Sequence, residues 1–215
     1  TSFLNYNCKD VITTLKVWER IKQWIEKPSI FYDIYRTTID MYPALTFMMS
    51  RGLAIDHKEL ENVRETVLGE IKDLDASLQG VVQEESGDPL LTLNYNSPKQ
   101  CLNYYYTILG IKPYLNNGKP TLNDDALIRL AKGTGTRNGL YSATLIQQLR
   151  QRAKYVGTYL EITFDEDQRF RCSYNPRGTK TGRLSSSKTI FGTGMNQQNL
   201  PQNFKSFIVP DKGKI

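Results

Sequence analysis

Apolar residues recur at helical spacing along most of the chain. In residues 10–26 the apolar side chains fall close to one face of a helix, which predicts a helix that ends at Pro28. Residues 30–49 are mostly apolar, are interrupted by Pro43, and predict a buried helix. A third periodic stretch, residues 140–160, predicts a long helix in the second half of the chain.

Capping residues mark where further helices begin. Asp56, with Glu59 three residues on, resembles a capping box, and it opens an apolar stripe of about 24 residues, or roughly 36 Å of helix. Ser97, followed by proline, predicts a second helix start, and Asn123 predicts a third. These stretches predict a mainly α fold.

Two alternating stretches add a small antiparallel β part. Residues 161–164 and 170–174 predict a β-hairpin around the acidic turn at 165–167, whose carboxylates we expect to be solvated. The tyrosine run at 104–106 points in three directions on a helix and is interpreted as core packing, with base stacking as the alternative.

Composition excludes several classes of protein. A hydrophobic content of 39% with 23% charged residues argues against wholesale disorder. No apolar run approaches the ~20 residues that span a bilayer, and no segment resembles a signal peptide. Cys8, Cys101 and Cys172 are far apart and lack a paired motif, so we interpret them as reduced thiols.

Charge is distributed unevenly along the chain. Residues 1–128 carry 13 basic and 17 acidic side chains, a net −4, whereas residues 129–215 carry 15 and 5, a net +10. Residues 169–188 hold six Lys and Arg and no acid, interleaved with Thr and Ser, and an Asn/Gln run follows at 196–199. This mixture favours a nucleic-acid backbone and groove edges, with a solvated flexible loop as the alternative. A membrane surface is disfavoured because an amphipathic apolar face is missing.

The polar segment also carries a specific resemblance. Residues 178–187 read GTKTGRLSSS and residues 196–201 read NQQNLP, which resembles the TGRLSS…NLQNIP signature of family A DNA polymerases, with a longer, phage-like spacer between the halves. Residues 93–100, the Arg150/Lys154 helix, and residues 42–56 resemble three other family segments in the same order.

The resemblance implies a fold and a set of DNA contacts. It implies a thumb of long antiparallel helices plus the first strands of a polymerase palm. Residues 1–28 would end a 3'-5' exonuclease-like domain, residues 29–160 would form the thumb and its helical base, and residues 161–215 would start the palm. Minor-groove and phosphate contacts are implied for Thr179, Lys180, Thr181, Arg183, Ser185, Ser186, Asn196, Gln198 and Asn199, and thumb contacts for Ser97, Lys99, Arg150 and Lys154.

The resemblance also implies chemistry that this span does not complete. The polymerase carboxylates of the family lie beyond residue 215, so Mg²⁺ is expected for the complete enzyme and none for this span alone. Tyr6 and Asp10 fit the YxxxD motif of proofreading exonucleases, in which Asp10 binds metal.

We therefore expect a DNA-directed DNA polymerase segment that grips a primer–template duplex in the cytoplasm of a bacterial or phage-infected cell. On its own it is expected to be inactive, with dNTP binding left to the missing palm and fingers. The alternatives are a non-catalytic duplex-binding module and one half of a split polymerase with a second polypeptide. An acidic protein partner is disfavoured by the carboxamides.

Overall fold

Helices make up most of the computed structural model, which describes residues 2–25, 27, 29–134, 138–211 and 213. They are α1 (Ser2–Ile25), α2 (Ile30–Arg51), α3 (His57–Ser86), α4 (Pro98–Leu102), α5 (Asp124–Ala131), α6 (Tyr141–Tyr155) and α7 (Gln202–Lys205). Two π-helical segments, Asn103–Ile108 and Val156–Leu160, continue α4 and α6. Pro28, which was predicted to close the first helix, lies outside the described residues.

The strands are short and pair only in twos. They are β1 (Ala54–Ile55), β2 (Leu115–Asn116), β3 (Lys119–Pro120), β4 (Ser173–Asn175), β5 (Ser185–Ser187) and β6 (Ile208–Val209). Within the described residues they form the pairs β1–β6, β2–β3 and β4–β5. The prediction of a mainly α fold with a small antiparallel β part is confirmed.

The chain divides into two compact units. The first unit holds the residues up to 54 together with 164–199, and the second holds residues 55–163 and those from 200 onward. The subdomain boundaries expected from the resemblance, after residues 28 and 160, stay a prediction. No described helix is both long enough and apolar enough to cross a membrane.

The predicted helix starts are confirmed by their caps. The side chain of Asp56 accepts a hydrogen bond from the Glu59 N–H, and Ser97 does the same for Gln100. Asn123 caps α5 by accepting from the Ala126 N–H. Each cap satisfies one of the amides that the first helical turn leaves without a partner.

The core of the second unit lies between α3, α5, α6 and the tyrosine run. Leu78 of α3 and Leu145 of α6 are buried there together with Tyr104 and Tyr105, which confirms the core interpretation of the tyrosines. The Tyr105 and Ser142 hydroxyls are hydrogen bonded at 2.9 Å, and burial raises the pKa of Tyr105. Core packing, with the Tyr105 hydroxyl paired to Ser142, therefore fixes α6 against the tyrosine segment.

Helix α2 is not buried as predicted. Leu45 is the one buried residue among its described side chains, and Phe47 is 60% exposed. Pro43 lies inside the helix and does not interrupt it. The prediction failed because an apolar count does not tell which face finds a packing partner.

The predicted pairing of residues 161–164 with residues 170–174 is wrong. Residues 161–164 form no strand, and β4 pairs instead with β5, in the register Ser173↔Ser187 and Asn175↔Ser185. Phe170 forms an isolated bridge with Leu53. Strand pairing is set by tertiary contacts more than by local pattern, and a serine triplet gives no alternating signal.

Candidate nucleic-acid interface

The residues of the polymerase-like signature form one hairpin of the first unit. Strands β4 and β5 flank a turn at residues 176–184 that carries Arg177, Lys180 and Arg183, all exposed. The turn is closed from inside because the Thr179 hydroxyl donates to the Arg183 carbonyl at 2.8 Å. The predicted contacts Thr179, Lys180, Thr181 and Arg183 therefore share one exposed tip.

Glycine is required at one position of this hairpin. A Cβ on Gly178 would lie 1.8 Å from the Ser185 Oγ and 2.9 Å from its Cβ. The Ser185 hydroxyl in turn donates to the Asn175 carbonyl. The close approach of the turn to Ser185 of β5 therefore depends on the missing side chain of Gly178.

The carboxamide of Asn196 has a fixed orientation. Its Oδ1 accepts from the backbone N–H of Gln198 at 2.9 Å and from the Ser186 hydroxyl. Because a backbone N–H can only donate, the atom facing it must be the oxygen. The Nδ2 group of Asn196 is thus left as a donor on the other side.

The remaining carboxamides of the run serve different purposes. The Gln198 Nε2 donates to the Leu184 carbonyl at 3.0 Å, which ties the 3-10 turn Gln197–Asn199 to the signature strand. Asn199 is exposed. The structure thus brings Ser186, Asn196 and Gln198 together, and their contact with DNA stays a prediction.

Gln197 is a structural brace that the sequence analysis did not single out. Its Nε2 donates to the Phe170 carbonyl at 3.1 Å, and its Oε1 accepts from the Tyr174 hydroxyl at 2.9 Å. The polymerase signature NLQNIP has leucine at the corresponding place, and that difference was the available signal. Burial and contact with Cys172 raise the pKa of Tyr174 to about 12, so the hydroxyl stays protonated and able to donate at neutral pH.

Two of the six cations in the basic segment are used internally. Arg169 donates to the carbonyls of Arg51 and Gly52, and Arg171 donates to the Ser50 carbonyl at 2.9 Å. They bind the carbonyls at the end of α2, where the helix dipole favours positive charge. The exposed cations of the segment are Arg177, Lys180, Arg183 and Lys188.

The acidic turn is not simply solvated, contrary to the prediction. Arg171 forms ion pairs with Asp165 and Asp167 at 2.7 and 2.6 Å, and Asp165 also accepts from the Thr193 hydroxyl. The hydrogen bonds from Arg171 hold the pKa of Asp167 at about 2, well below its usual range. Glu166 is exposed. The prediction failed because sequence spacing does not show that Arg171 reaches back over the turn.

The residues predicted to contact DNA from the thumb lie in the second unit, and some of their side chains are already hydrogen bonded within the protein. The Arg150 guanidinium donates to the carbonyls of Tyr95 and Leu122 at 3.2 and 2.8 Å, so it joins two loops to α6. Lys154 and Lys99 are exposed, and the Ser97 hydroxyl caps α4. Phosphate contacts at these residues stay a prediction.

Tyr6 and Asp10 lie one turn apart on α1, and both are exposed. In the part of the chain that the structure describes, no group of three or more His, Cys, Asp and Glu side chains could hold a metal ion. The described residues therefore do not supply the donor set that two Mg²⁺ ions need, and no catalytic step follows from them. The exonuclease assignment of Tyr6 and Asp10 stays a prediction.

Known proteins resemble this chain over nearly its whole length. DNA polymerase I of Chloroflexus aurantiacus is 28% identical over an alignment of 208 residues, and the match covers 91% of this chain and 20% of that protein. DNA polymerase I of Rhizobium leguminosarum is 26% identical over an alignment of 203 residues, and the match covers 92% of this chain and 18% of that protein. No protein-family model matches the chain.

A solved structure has the same fold. The polymerase domain of Pol1 from M. smegmatis, in complex with DNA primer-template and dNTP, superposes with a TM-score of 0.63 at 22% identity, and the match covers 90% of this chain and 32% of that one. The chain spans about a fifth of the length of the curated relatives. In sequence and in fold, the chain therefore resembles one part of a DNA polymerase I.

Proposed function

We propose that the chain binds a primer–template duplex as part of template-directed DNA synthesis, with the β4–β5 hairpin and residues 196–199 facing the minor groove. The observation that carries the proposal is the fixed amide of Asn196, whose donor group is directed away from Ser186 and Gln198. The Pol1 domain that shares the fold was solved with DNA primer-template and dNTP, which supports the same partner here.

The chemistry of the hairpin suits a copying enzyme. Every Watson–Crick pair presents purine N3 and pyrimidine O2 acceptors in the minor groove. A donor such as Asn196 Nδ2 or the Arg183 guanidinium can test pair geometry there without reading sequence. The exposed cations Arg177, Lys180 and Lys188 would neutralise phosphates alongside.

The second unit would add backbone contacts. Lys99 and Lys154 are exposed and can reach phosphates without losing a structural bond. Arg150 is different because its guanidinium already holds the Tyr95 and Leu122 carbonyls. We expect Arg150 to act mainly by fixing these loops, with any phosphate contact shared with that task.

The reaction itself would be completed elsewhere in the polymerase. Bond formation would need carboxylates holding two Mg²⁺ ions and a site for dNTP, neither of which is assigned to the described residues. We therefore propose that this span alone is inactive. The bacterial relatives support a cytoplasmic location in a bacterial or phage-infected cell.

A duplex-binding assay with matched variants tests the proposal. Asn196→Asp keeps the oxygen that Ser186 and Gln198 require but removes the donor, and we expect about tenfold weaker binding to a primer–template. Asn203→Asp adds the same charge at an exposed residue of α7 and is expected to bind as the unmodified chain does. Equal affinities for the two variants would contradict the proposed role of Asn196.

Salt dependence tests the phosphate contribution separately. Arg177→Ala, which removes one of the exposed cations proposed to face phosphates, should weaken binding and lower the slope of log affinity against log salt by about one. Arg36→Ala, which removes an exposed arginine from α2, serves as the matched control. Absence of any salt-dependent duplex binding by the unmodified chain would overturn the proposed function.

The alternatives are a non-catalytic duplex-binding module and one half of a split polymerase. All three share the hairpin, so duplex binding does not separate them. Primer extension does, when measured with the chain alone and after adding a second polypeptide that carries the remaining palm and fingers. Extension restored by addition supports a polymerase segment, and nucleotide incorporation by the chain alone would contradict the proposed inactivity.

A further inference from the structure

The spacer between the two halves of the polymerase signature forms a closed turn. The Thr189 N–H donates to the Thr193 carbonyl and the Gly192 N–H donates to the Thr189 carbonyl, each at 3.0 Å. The two threonine hydroxyls are also hydrogen bonded at 2.6 Å. Residues 189–193 therefore have a defined conformation and are not a loose linker.

The turn is fixed to the body of the first unit. The Thr193 hydroxyl donates to Asp165, which is paired with Arg171, and Arg171 in turn binds the Ser50 carbonyl of α2. Gly194 lies directly on the Arg171 backbone, where an added Cβ would be 1.8 Å from the carbonyl oxygen. These contacts hold the base of the turn while its tip stays in solvent.

The tip presents two large apolar side chains. Ile190 is 89% exposed and Phe191 is 82% exposed. Because the Ser186 hydroxyl is bonded to Asn196, the intervening chain leaves and returns at the same point of the hairpin. The apolar pair therefore projects from between the two segments that we propose to face DNA.

We propose that the turn at residues 189–193 is an apolar contact element for the primer–template duplex, with Ile190 and Phe191 packing against sugars and base edges in the minor groove. This inference rests on the proposed function. Phe and Ile are among the side chains that proteins place against base steps from the minor groove. A turn that is already ordered loses little conformational entropy on contact.

The position of the turn favours DNA over an apolar protein surface as the partner, because the turn connects two segments that we propose to face the minor groove. Lys188, next to the turn, is exposed, and Arg183 is exposed on the same hairpin. Ile190 and Phe191 line one cavity with Asp165, Glu166 and Asp167, and Arg171 pairs with Asp165 and Asp167. A duplex that contacts the β4–β5 hairpin would meet Lys188 next to the apolar pair.

The test is binding of the Ile190→Ser/Phe191→Ser double variant to a primer–template that carries 2-aminopurine at the primer terminus. We expect binding about five- to tenfold weaker, in the range of one lost aromatic–base contact. The salt slope should be unchanged because an apolar contact releases no counterions. The 2-aminopurine signal on saturation should also differ from that of the unmodified chain.

Two controls keep the result specific. Leu90→Ser removes an apolar side chain that is 87% exposed in the second unit, and it should leave affinity unchanged. Ile190→Leu/Phe191→Tyr should bind as the unmodified chain does. Thermal unfolding of all variants checks that the exposed substitutions leave the fold intact.

The outcomes distinguish this inference from the proposed function. If the serine double variant matches the unmodified chain in affinity and in 2-aminopurine signal while Arg177→Ala still weakens binding, the turn is not a DNA contact and the proposed function stands. If the double variant has a lower salt slope, the contact is electrostatic and the inference is wrong. If the unmodified chain does not bind the duplex, both this inference and the proposed function are wrong.

Discussion

Arg171 binds Asp167 through both of its terminal nitrogens, Nη1 to Oδ1 and Nη2 to Oδ2, each at 2.6 Å. The same guanidinium contacts Asp165 and the carbonyl of Ser50 at the end of α2. One side chain thus joins the acidic turn to a helix that lies more than a hundred residues earlier in the chain. The pair is the clearest source of pH dependence in the first unit.

Acid should weaken the first unit by protonating Asp167. The pKa of this carboxyl in the folded chain is about 2, below its ordinary value of 3.8, because Arg171 binds the charged form. The stabilisation is therefore fully present above about pH 4 and is lost as the pH falls towards 2. Urea unfolding between pH 5 and pH 2.5 should show this loss, and Asp167→Asn should be less stable at pH 5 with a flatter profile. An identical profile for the variant would contradict the assignment.

Two glycines with left-handed backbones should differ sharply in their tolerance of alanine. Gly194 has a φ of +66°, and a Cβ added there by Gly194→Ala would lie 1.8 Å from the Arg171 carbonyl oxygen. Gly182 has a φ of +72°, and a Cβ added there by Gly182→Ala would meet open space. We expect about 1 kcal/mol of destabilisation at residue 182 and more than about 3 kcal/mol at residue 194. Denaturant unfolding of both variants measures the difference, and equal losses would contradict the close approach at residue 194.

Arg150 should matter for stability far more than its neighbour Arg152. Arg150→Ala leaves the carbonyls of Tyr95 and Leu122 without their donor, a loss of about 2 kcal/mol. Arg152 forms a surface ion pair with Glu70 at 2.7 Å, which contributes at most about 1 kcal/mol. Both variants remove one positive charge, so unfolding free energies compare them directly. A larger loss for Arg152→Ala would refute the structural role of Arg150.

The brace at Gln197 should act together with Tyr174. Gln197→Leu restores the residue of the polymerase signature but removes the bonds to Phe170 and Tyr174, and Tyr174→Phe removes only the second bond. We expect Gln197→Leu to lose about 2 kcal/mol of stability and Tyr174→Phe about 1 kcal/mol, in line with the number of hydrogen bonds that each removes. The double variant should lose less than the sum, because the Tyr174 bond is removed only once. Strict additivity in a double-mutant cycle would show that the two side chains do not interact.

Local chemistry explains which elements the sequence could predict. Asp56, Ser97 and Asn123 cap their helices as expected because capping is a contact between residues three positions apart. The π-helical ends of α4 and α6 were not predicted, since they depend on packing around the tyrosines and around Val156.

The candidate site was predicted in its residues but not in its architecture. The polymerase-like signature located Ser186, Asn196 and Gln198, which do come together. The partner of β5 was missed because three serines carry no apolar alternation. The internal use of Arg169 and Arg171 was missed because their acceptors, at residues 50–52, are distant in sequence.

The bridge between Leu53 and Phe170 joins two parts of the first unit that are separated by the 109 residues of 55–163. During synthesis on a ribosome, α1 and α2 leave the exit tunnel before the strands that complete their unit exist. At about 5–20 residues per second, that interval lasts roughly 5–20 seconds. Throughout it, the carbonyls at the end of α2 lack Arg169 and Arg171, so the first unit can only finish folding after the helices of residues 55–163 have been made.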